Sequence, residues 1–124
     1  MLSGLFTTKQ TGDNAERIAE AFLNRQGLKL VARNYRCRFG EIDLIMTHQG
    51  TLVFVEVRMR RTRQGNDFGG AAASITPAKQ ARIVAAAQHY LAGMKQVPLC
   101  RFDAVLLNGL SADAVEWLPN AFEA

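Results

Sequence analysis

The sequence predicts one α/β domain, a mixed β-sheet with helices on its faces. Three observations point there. Residues Gly40 to Arg58 hold two apolar, β-branched-rich runs separated by Thr47, His48, Gln49 and Gly50, a β-hairpin pattern with Gln49-Gly50 as its two-residue loop. A helical pattern opening at Thr76-Pro77 lies between the Thr51 strand and a strand from Arg101 to Leu107, so a crossover joins those two strands and they run parallel. Large apolar groups fall on both faces of the hairpin, which places it inside the sheet and covered on two sides.

Residues 1–12 carry Gly, Thr and Lys without apolar periodicity and read as a flexible N-terminal tail, leaving 13–122 as the folded domain. A first helix is expected from Asp13, whose spacing to Glu16 matches a capping box, through Ile18, Ala19, Phe22 and Leu23 to Gln26, with Gly27 as its C-terminal cap. Leu28 to Arg38 reads as a strand whose end is a rim carrying Arg36 and Arg38. After the hairpin the pattern breaks into a basic, glycine-containing loop with Arg60, Arg61 and Arg63. Thr76 as N-cap and Pro77 at the first position start a helix to about Ala92, with Ile83, Ala86, Ala87, Tyr90 and Leu91 as its apolar stripe. Ala114 to Leu118 is the last strand, and Trp117 a packing residue.

The chain has 124 residues, 48% hydrophobic and 21% charged, enough for a core without disulfides and unlike a disordered or fibrous composition. No apolar run approaches 18 residues and no charged leader precedes an apolar segment, so no membrane partner and a cytoplasmic location are expected. Cys37 and Cys100 belong to no CxxC or His/Cys cluster and are expected as reduced thiols. The net charge is +4, and seven of the 15 Lys and Arg residues lie between Arg33 and Arg63, where the acids are Glu41, Asp43 and Glu56. Carboxylates ringed by arginine suit a site that admits a polyanion and holds a cation, although arginine-rich loops are also ordinary solvated surface.

The hairpin register sharpens this. With Gln49-Gly50 as the loop, His48 faces Thr51, Asp43 faces Glu56 and Glu41 faces Arg58. Alternation then puts Glu41, Asp43, Ile45, Phe54, Glu56 and Arg58 on one face, and Ile42, Leu44, Met46, Val53, Val55 and Val57 on the other. Two facing carboxylates about 5 Å apart repel by roughly 3 kcal/mol at an effective dielectric near 20. A shared proton, an arginine or a divalent cation would offset that repulsion, the cation best. The plain alternative is a structural salt-bridge cluster with Arg58 on Glu41.

Glu16 has two readings, a capping-box acid or an acid leaning over the hairpin into a metal shell. Lys79, in the first turn of its helix where the macrodipole disfavours a cation, is either a surface lysine or a group that meets a phosphate or a catalytic carboxylate together with free helix amides. For Asp103, partnership with Arg101 or a backbone donor is expected. His48 and His89 receive no role.

With Glu16, Asp43 and the triplet Glu56-Val57-Arg58 in hand, the layout resembles the PD-(D/E)xK nuclease superfamily. The whole chain, over roughly residues 8 to 122, is similar to the YraN family of bacterial proteins. The resemblance is carried by Thr-Gly-Asp-x-x-Glu at Thr11 to Glu16, Gly-Glu-Ile-Asp-Leu-Ile at Gly40 to Ile45, Phe-Val-Glu-Val-Arg at Phe54 to Arg58, Lys79, and Arg-Phe-Asp at Arg101 to Asp103. It implies a restriction-endonuclease-like fold close to Holliday-junction resolvases. It also implies Mg²⁺ or Mn²⁺ held by Asp43 and Glu56 with help from Glu16, and a metal-dependent endonuclease acting on DNA, branched or structured DNA included. In that frame Asp43, Glu56, Arg58, Glu16 and Lys79 are the catalytic set, and Arg36, Arg38, Arg60, Arg61 and Arg63 contact nucleic acid, DNA in preference to RNA. A homodimer would suit a branched substrate. Where the superfamily has Lys the chain has Arg58, which keeps its proton at working pH, so base chemistry would fall to the metal or to Lys79. The rival expectation is a non-catalytic nucleic-acid-binding or partner-binding module on the same scaffold.

Overall fold

A computed structural model describes residues 8–59, 75–109 and 114–124. Its elements are α1 (Thr8–Arg25), β1 (Lys29–Cys37), β2 (Gly40–His48), β3 (Thr51–Met59), α2 (Pro77–Leu91), β4 (Cys100–Leu107) and β5 (Val115–Phe122). The strands form one mixed sheet in the order β1-β2-β3-β4-β5. β3 and β4 are parallel, as the crossover requires, and every other pairing is antiparallel. Among the described residues this is the expected α/β architecture, a five-stranded mixed sheet flanked by two helices, consistent with a restriction-endonuclease-like fold.

Each helix covers one face. Ala15, Ala19 and Leu23 recur every four residues along α1 and are buried against Leu44, Met46, Val53, Val55 and Val105. Ile83, Ala86 and Ala87 of α2 close over Ile42, Ile45, Phe54, Phe102 and Ala104 on the opposite face. α1 begins at Thr8, five residues before the expected start at Asp13, so it takes in residues 8–12, while residues 1–7 of the expected tail lie outside the described residues. Asp13 and Glu16 therefore lie inside the helix, past the first-turn donors that a capping box serves, and that reading of Glu16 is corrected. The C-terminal stop is as expected. Gly27 takes φ +99°, its N–H and that of Leu28 donate to Asn24 and Leu23, and Leu23 and Leu28 are both buried.

Gln49 and Gly50 both have positive φ, the hairpin loop read from the sequence, and the ladder runs from His48–Thr51 to Leu44–Val55 in the expected register. There the main-chain pairing of β2 with β3 ends. β2 stays paired with β1 as far as Cys37–Gly40, and β3 with β4 as far as Met59–Leu107, so the two central strands part like a fork. Glu41 accordingly lies opposite Arg36 on β1 instead of facing Arg58, with the charges 3.9 Å apart.

Strict alternation also fails at the fork. Ile42 and Ile45, three residues apart, both pack on the α2 side, as do Ala32 and Tyr35 on β1, so Ile42 leaves the face expected for it. Between the Arg33–Leu44 and Tyr35–Ile42 partners the pairing skips Asn34 and Asp43. Asn34 has φ +52°, a left-handed conformation that asparagine tolerates better than most residues and that switches the faces of the chain.

At the other end of the sheet Asp103, fully buried, accepts hydrogen bonds from Arg101 Nε (3.0 Å), Trp117 Nε1 (3.0 Å) and the Asn120 amide (3.0 Å). This is the partnership with Arg101 anticipated above, and it also satisfies an amide where β5, which carries Pro119, shifts register against β4. Arg101 Nη2 reaches Nδ1 of His48 (3.1 Å). Cys37 and Cys100 are free thiols. Removing the carboxylate strands a mostly buried guanidinium: Asp103→Ala is expected to lower stability by about 3 kcal/mol, read from the urea midpoint at constant slope, and a loss under about 1 kcal/mol would contradict the role given to this network.

Candidate metal centre

The fork places three carboxylates where two strands separate under the two helices. Asp43 is 9% exposed and its Oδ2 accepts the Val57 amide at 2.8 Å. Hairpin parity would give that amide to the main chain of Ile42, so the Asp43 side chain replaces a backbone acceptor and holds the mouth of the fork open. Glu56, 4% exposed, meets Asp43 from β3, and Glu16 meets Asp43 from α1. The two acids expected to be neighbours are neighbours, through the fork and not through a regular ladder.

α2 supplies a cation from the other side. Thr76 Oγ1 accepts the Lys79 amide (3.1 Å), fixing the first turn, and Lys79 Nζ stands 3.6 Å from Glu56 Oε2. The Thr76 cap is as expected, and of the two readings of Lys79 the structure shows the ammonium meeting a carboxylate. Arg58 Nη1 approaches the same Glu56 oxygen at 3.8 Å.

Burial, followed by the charge of Asp43, pushes Glu16 up to about 8 from the usual 4.5. Burial and then Asp43 push Glu56 up to about 8 as well, against the opposing pull of Lys79 and Arg58. Two cations do not offset three crowded carboxylates, and the remainder is held as protons. A hard divalent cation fits this donor set, which is all carboxylate oxygen. Among the described residues no group of three His, Cys, Asp or Glu side chains forms a ready-made cage, so the fit is that of an ion keeping several waters and binding through one or two carboxylates.

Arg36 and Arg38 stand exposed at the end of β1 and in the turn beyond it, and Arg60, Arg61 and Arg63 lie outside the described residues. Sequence reasoning missed the clamp that sets α1. Arg33 on β1 donates to both oxygens of Glu20 at 2.7 and 2.9 Å, one helical turn beyond Glu16. The i,i+4 spacing of Glu16 and Glu20 was the signal that both acids face the sheet.

Residues 15–107 match the family model described as Uncharacterised protein family UPF0102, a span that holds Glu16, Asp43, Glu56, Arg58 and Lys79. The chain belongs to the UPF0102 family. It is 57% identical to a UPF0102 protein of Nitrosospira multiformis, covering 94% of this chain and 96% of that one. It is 60% identical to a UPF0102 protein of Cupriavidus taiwanensis, covering 91% and 82%. For this UPF0102 chain no helix among the described residues is long and apolar enough to cross a membrane.

The raised carboxyls give the stability of this UPF0102 chain an expected pH dependence of definite sign. Between about 4.5 and about 8 the folded chain holds more protons on Glu16 and Glu56 than the unfolded chain does, so their contribution is full below that window and is lost as pH rises through about 8. In a chelating buffer the melting temperature of wild type relative to Glu56→Gln is expected to fall across this window, and to recover on adding Mg²⁺ at the alkaline end. A wild-type-minus-variant difference that is flat or rises with pH would contradict the raised carboxyls.

Proposed function

We propose that this UPF0102 protein is a divalent-metal-dependent nuclease of the PD-(D/E)xK kind that hydrolyses phosphodiester bonds in DNA, branched or structured DNA included. The observation that carries the reading is the meeting of Glu16, Asp43 and Glu56 at the strand fork, with Lys79 and Arg58 both on Glu56. Asp43 and Glu56 hold the cation, Mg²⁺ or Mn²⁺, and Glu16 completes or orients its shell. When bound, the ion supplies Lewis-acid polarisation of the phosphoryl oxygens and lowers the pKa of water.

The remaining chemistry falls to the chain's own cations. Strand β3 offers Arg58 where the superfamily pattern has Lys, and a guanidinium gives charge and a rigid donor fork but no proton exchange at working pH. Lys79 reaches the same carboxylate oxygen from α2, so an ammonium stands beside Glu56 although the strand lacks one. It can orient the attacking water and, with Arg58, stabilise the negative charge that builds on the phosphorane. Arg36 and Arg38 then meet the phosphate backbone flanking the scissile bond, together with Arg60, Arg61 and Arg63.

The reading is tested by Mg²⁺-dependent cutting of branched or nicked DNA. Asp43→Asn is expected to abolish it, Lys79→Ala to lower the rate by on the order of 10²-fold, and Arg58→Lys to preserve it. Equal rates in wild type and Asp43→Asn would refute the assignment. Salt-sensitive DNA binding that ignores EDTA, without cutting, would favour a non-catalytic binding module instead.

A further inference from the structure

Beside the fork, the turn between β1 and β2 presents an aromatic side chain to solvent. Phe39 is 40% exposed, the one aromatic ring among the exposed large apolar side chains of the described residues. The Arg38 guanidinium lies over it, 4.9 Å from the ring centroid, and the His89 ring of α2 is 5.9 Å away. The mount continues inward. The Tyr35 hydroxyl hydrogen-bonds His89 Nδ1, Tyr35 packs edge-on against Tyr90 at 5.1 Å, and Tyr90 packs edge-on against the buried Phe54 at 6.2 Å. Gly40 brings the turn hard against α2, since a Cβ there would come within 3.2 Å of the Arg82 carbonyl oxygen and the residue has φ +153°.

We propose that Phe39, with Arg38 stacked on its ring, is a platform for an unpaired nucleobase at the rim of the carboxylate fork. The proposal rests on the nucleic-acid part of the function given above and is independent of cleavage. Every base has a π-face, and both aromatic rings and guanidinium planes stack on it, so a ring held rigidly among arginines is suited to unpaired nucleotides of any sequence. Charge agrees: Arg38 lies on the ring, and Arg36 and Arg82, the latter with its backbone against Gly40, are exposed on the neighbouring strand and helix, with Glu41 near Arg36 as a partial offset. Distance agrees as well. Phe39 precedes Asp43 by four residues of extended chain, about 13 Å at ~3.3 Å per residue, or about four base steps at ~3.4 Å each. The substrate class this selects is a duplex with a short single-stranded tail or opening a few nucleotides from the bond at the fork.

The experiment measures binding of the full chain in EDTA, which removes cutting, to a blunt duplex and to the same duplex bearing a four-nucleotide tail of DNA or of RNA. Wild type is expected to bind a tailed duplex about tenfold more tightly than the blunt one, within the range of one stacked base, and the tighter tail names the polymer. Phe39→Ala should erase that advantage while leaving blunt-duplex affinity unchanged, and Phe39→Trp should keep it. A 2-aminopurine in the tail should be quenched by wild type and by Phe39→Trp but not by Phe39→Ala. A tail advantage that survives in Phe39→Ala, or a Phe39→Trp variant that behaves like Phe39→Ala, would show Arg38 and Phe39 to be mutual surface cover and overturn the platform. Failure to bind either duplex would overturn the nucleic-acid reading along with it. Tail preference without any cutting in Mg²⁺ would leave the platform standing and contradict only the hydrolytic role.

Discussion

The hydrogen bond from the Val57 amide to Asp43 is the contact on which the arrangement of the site depends. Two central strands of a sheet do not separate without cost, because each parting leaves main-chain donors and acceptors that must find other partners. Here β2 and β3 keep their outer neighbours, and the carboxylate of Asp43 takes an amide that the ladder would have used. The gap this creates is lined by acids from β2, β3 and α1 and reached by a lysine from α2. Asp103 does a similar service at the β4–β5 irregularity, but there Arg101, Trp117 and Asn120 occupy the carboxylate and it is closed to further ligands.

The contrast between the two aspartates separates a carboxylate matched by a guanidinium from one set among other carboxylates. Asp103 is buried and matched by a guanidinium, so its network stabilises the fold. At the fork the charges are unmatched, and the crowding appears as protons retained on Glu16 and Glu56 well above the ordinary carboxylate range. A fold keeps such an excess of buried carboxylate at a cost, and functional sites are where that cost commonly falls. Arg33 on Glu20 ties α1 to β1 and the Thr76 cap fixes the first turn of α2, which carries Lys79, so the groups that meet at the fork come from elements far apart in the chain.

Much of this was legible in the sequence because it rests on local chemistry. Gln49-Gly50 dictates the hairpin and its register, Thr76-Pro77 starts α2, Gly27 stops α1, and a helix between Thr51 and Arg101 forces β3 and β4 to be parallel. The capping-box pattern at Asp13 misled because burial of Ala15, Ala19 and Leu23 extends with the helix, and residues 8–12 continue it on the N-terminal side. The fork was not legible. Period-two reasoning carries a register on indefinitely, while the end of pairing at Leu44–Val55 is decided by which neighbour holds each backbone and by a left-handed Asn34 that no pattern marks. Lys79 on Glu56 is a long-range contact between a helix start and a strand, which spacing along one chain does not encode.

In the proposed nuclease a cation displaces protons from the crowded carboxylates at the fork. Calorimetric titration of Mn²⁺ into the protein near neutral pH, repeated in two buffers of different ionisation enthalpy, reads both the binding and the protons set free. One site with net proton release, lost in Asp43→Asn, is the predicted result; absence of binding heat in both buffers, or binding unchanged by that substitution, would contradict it.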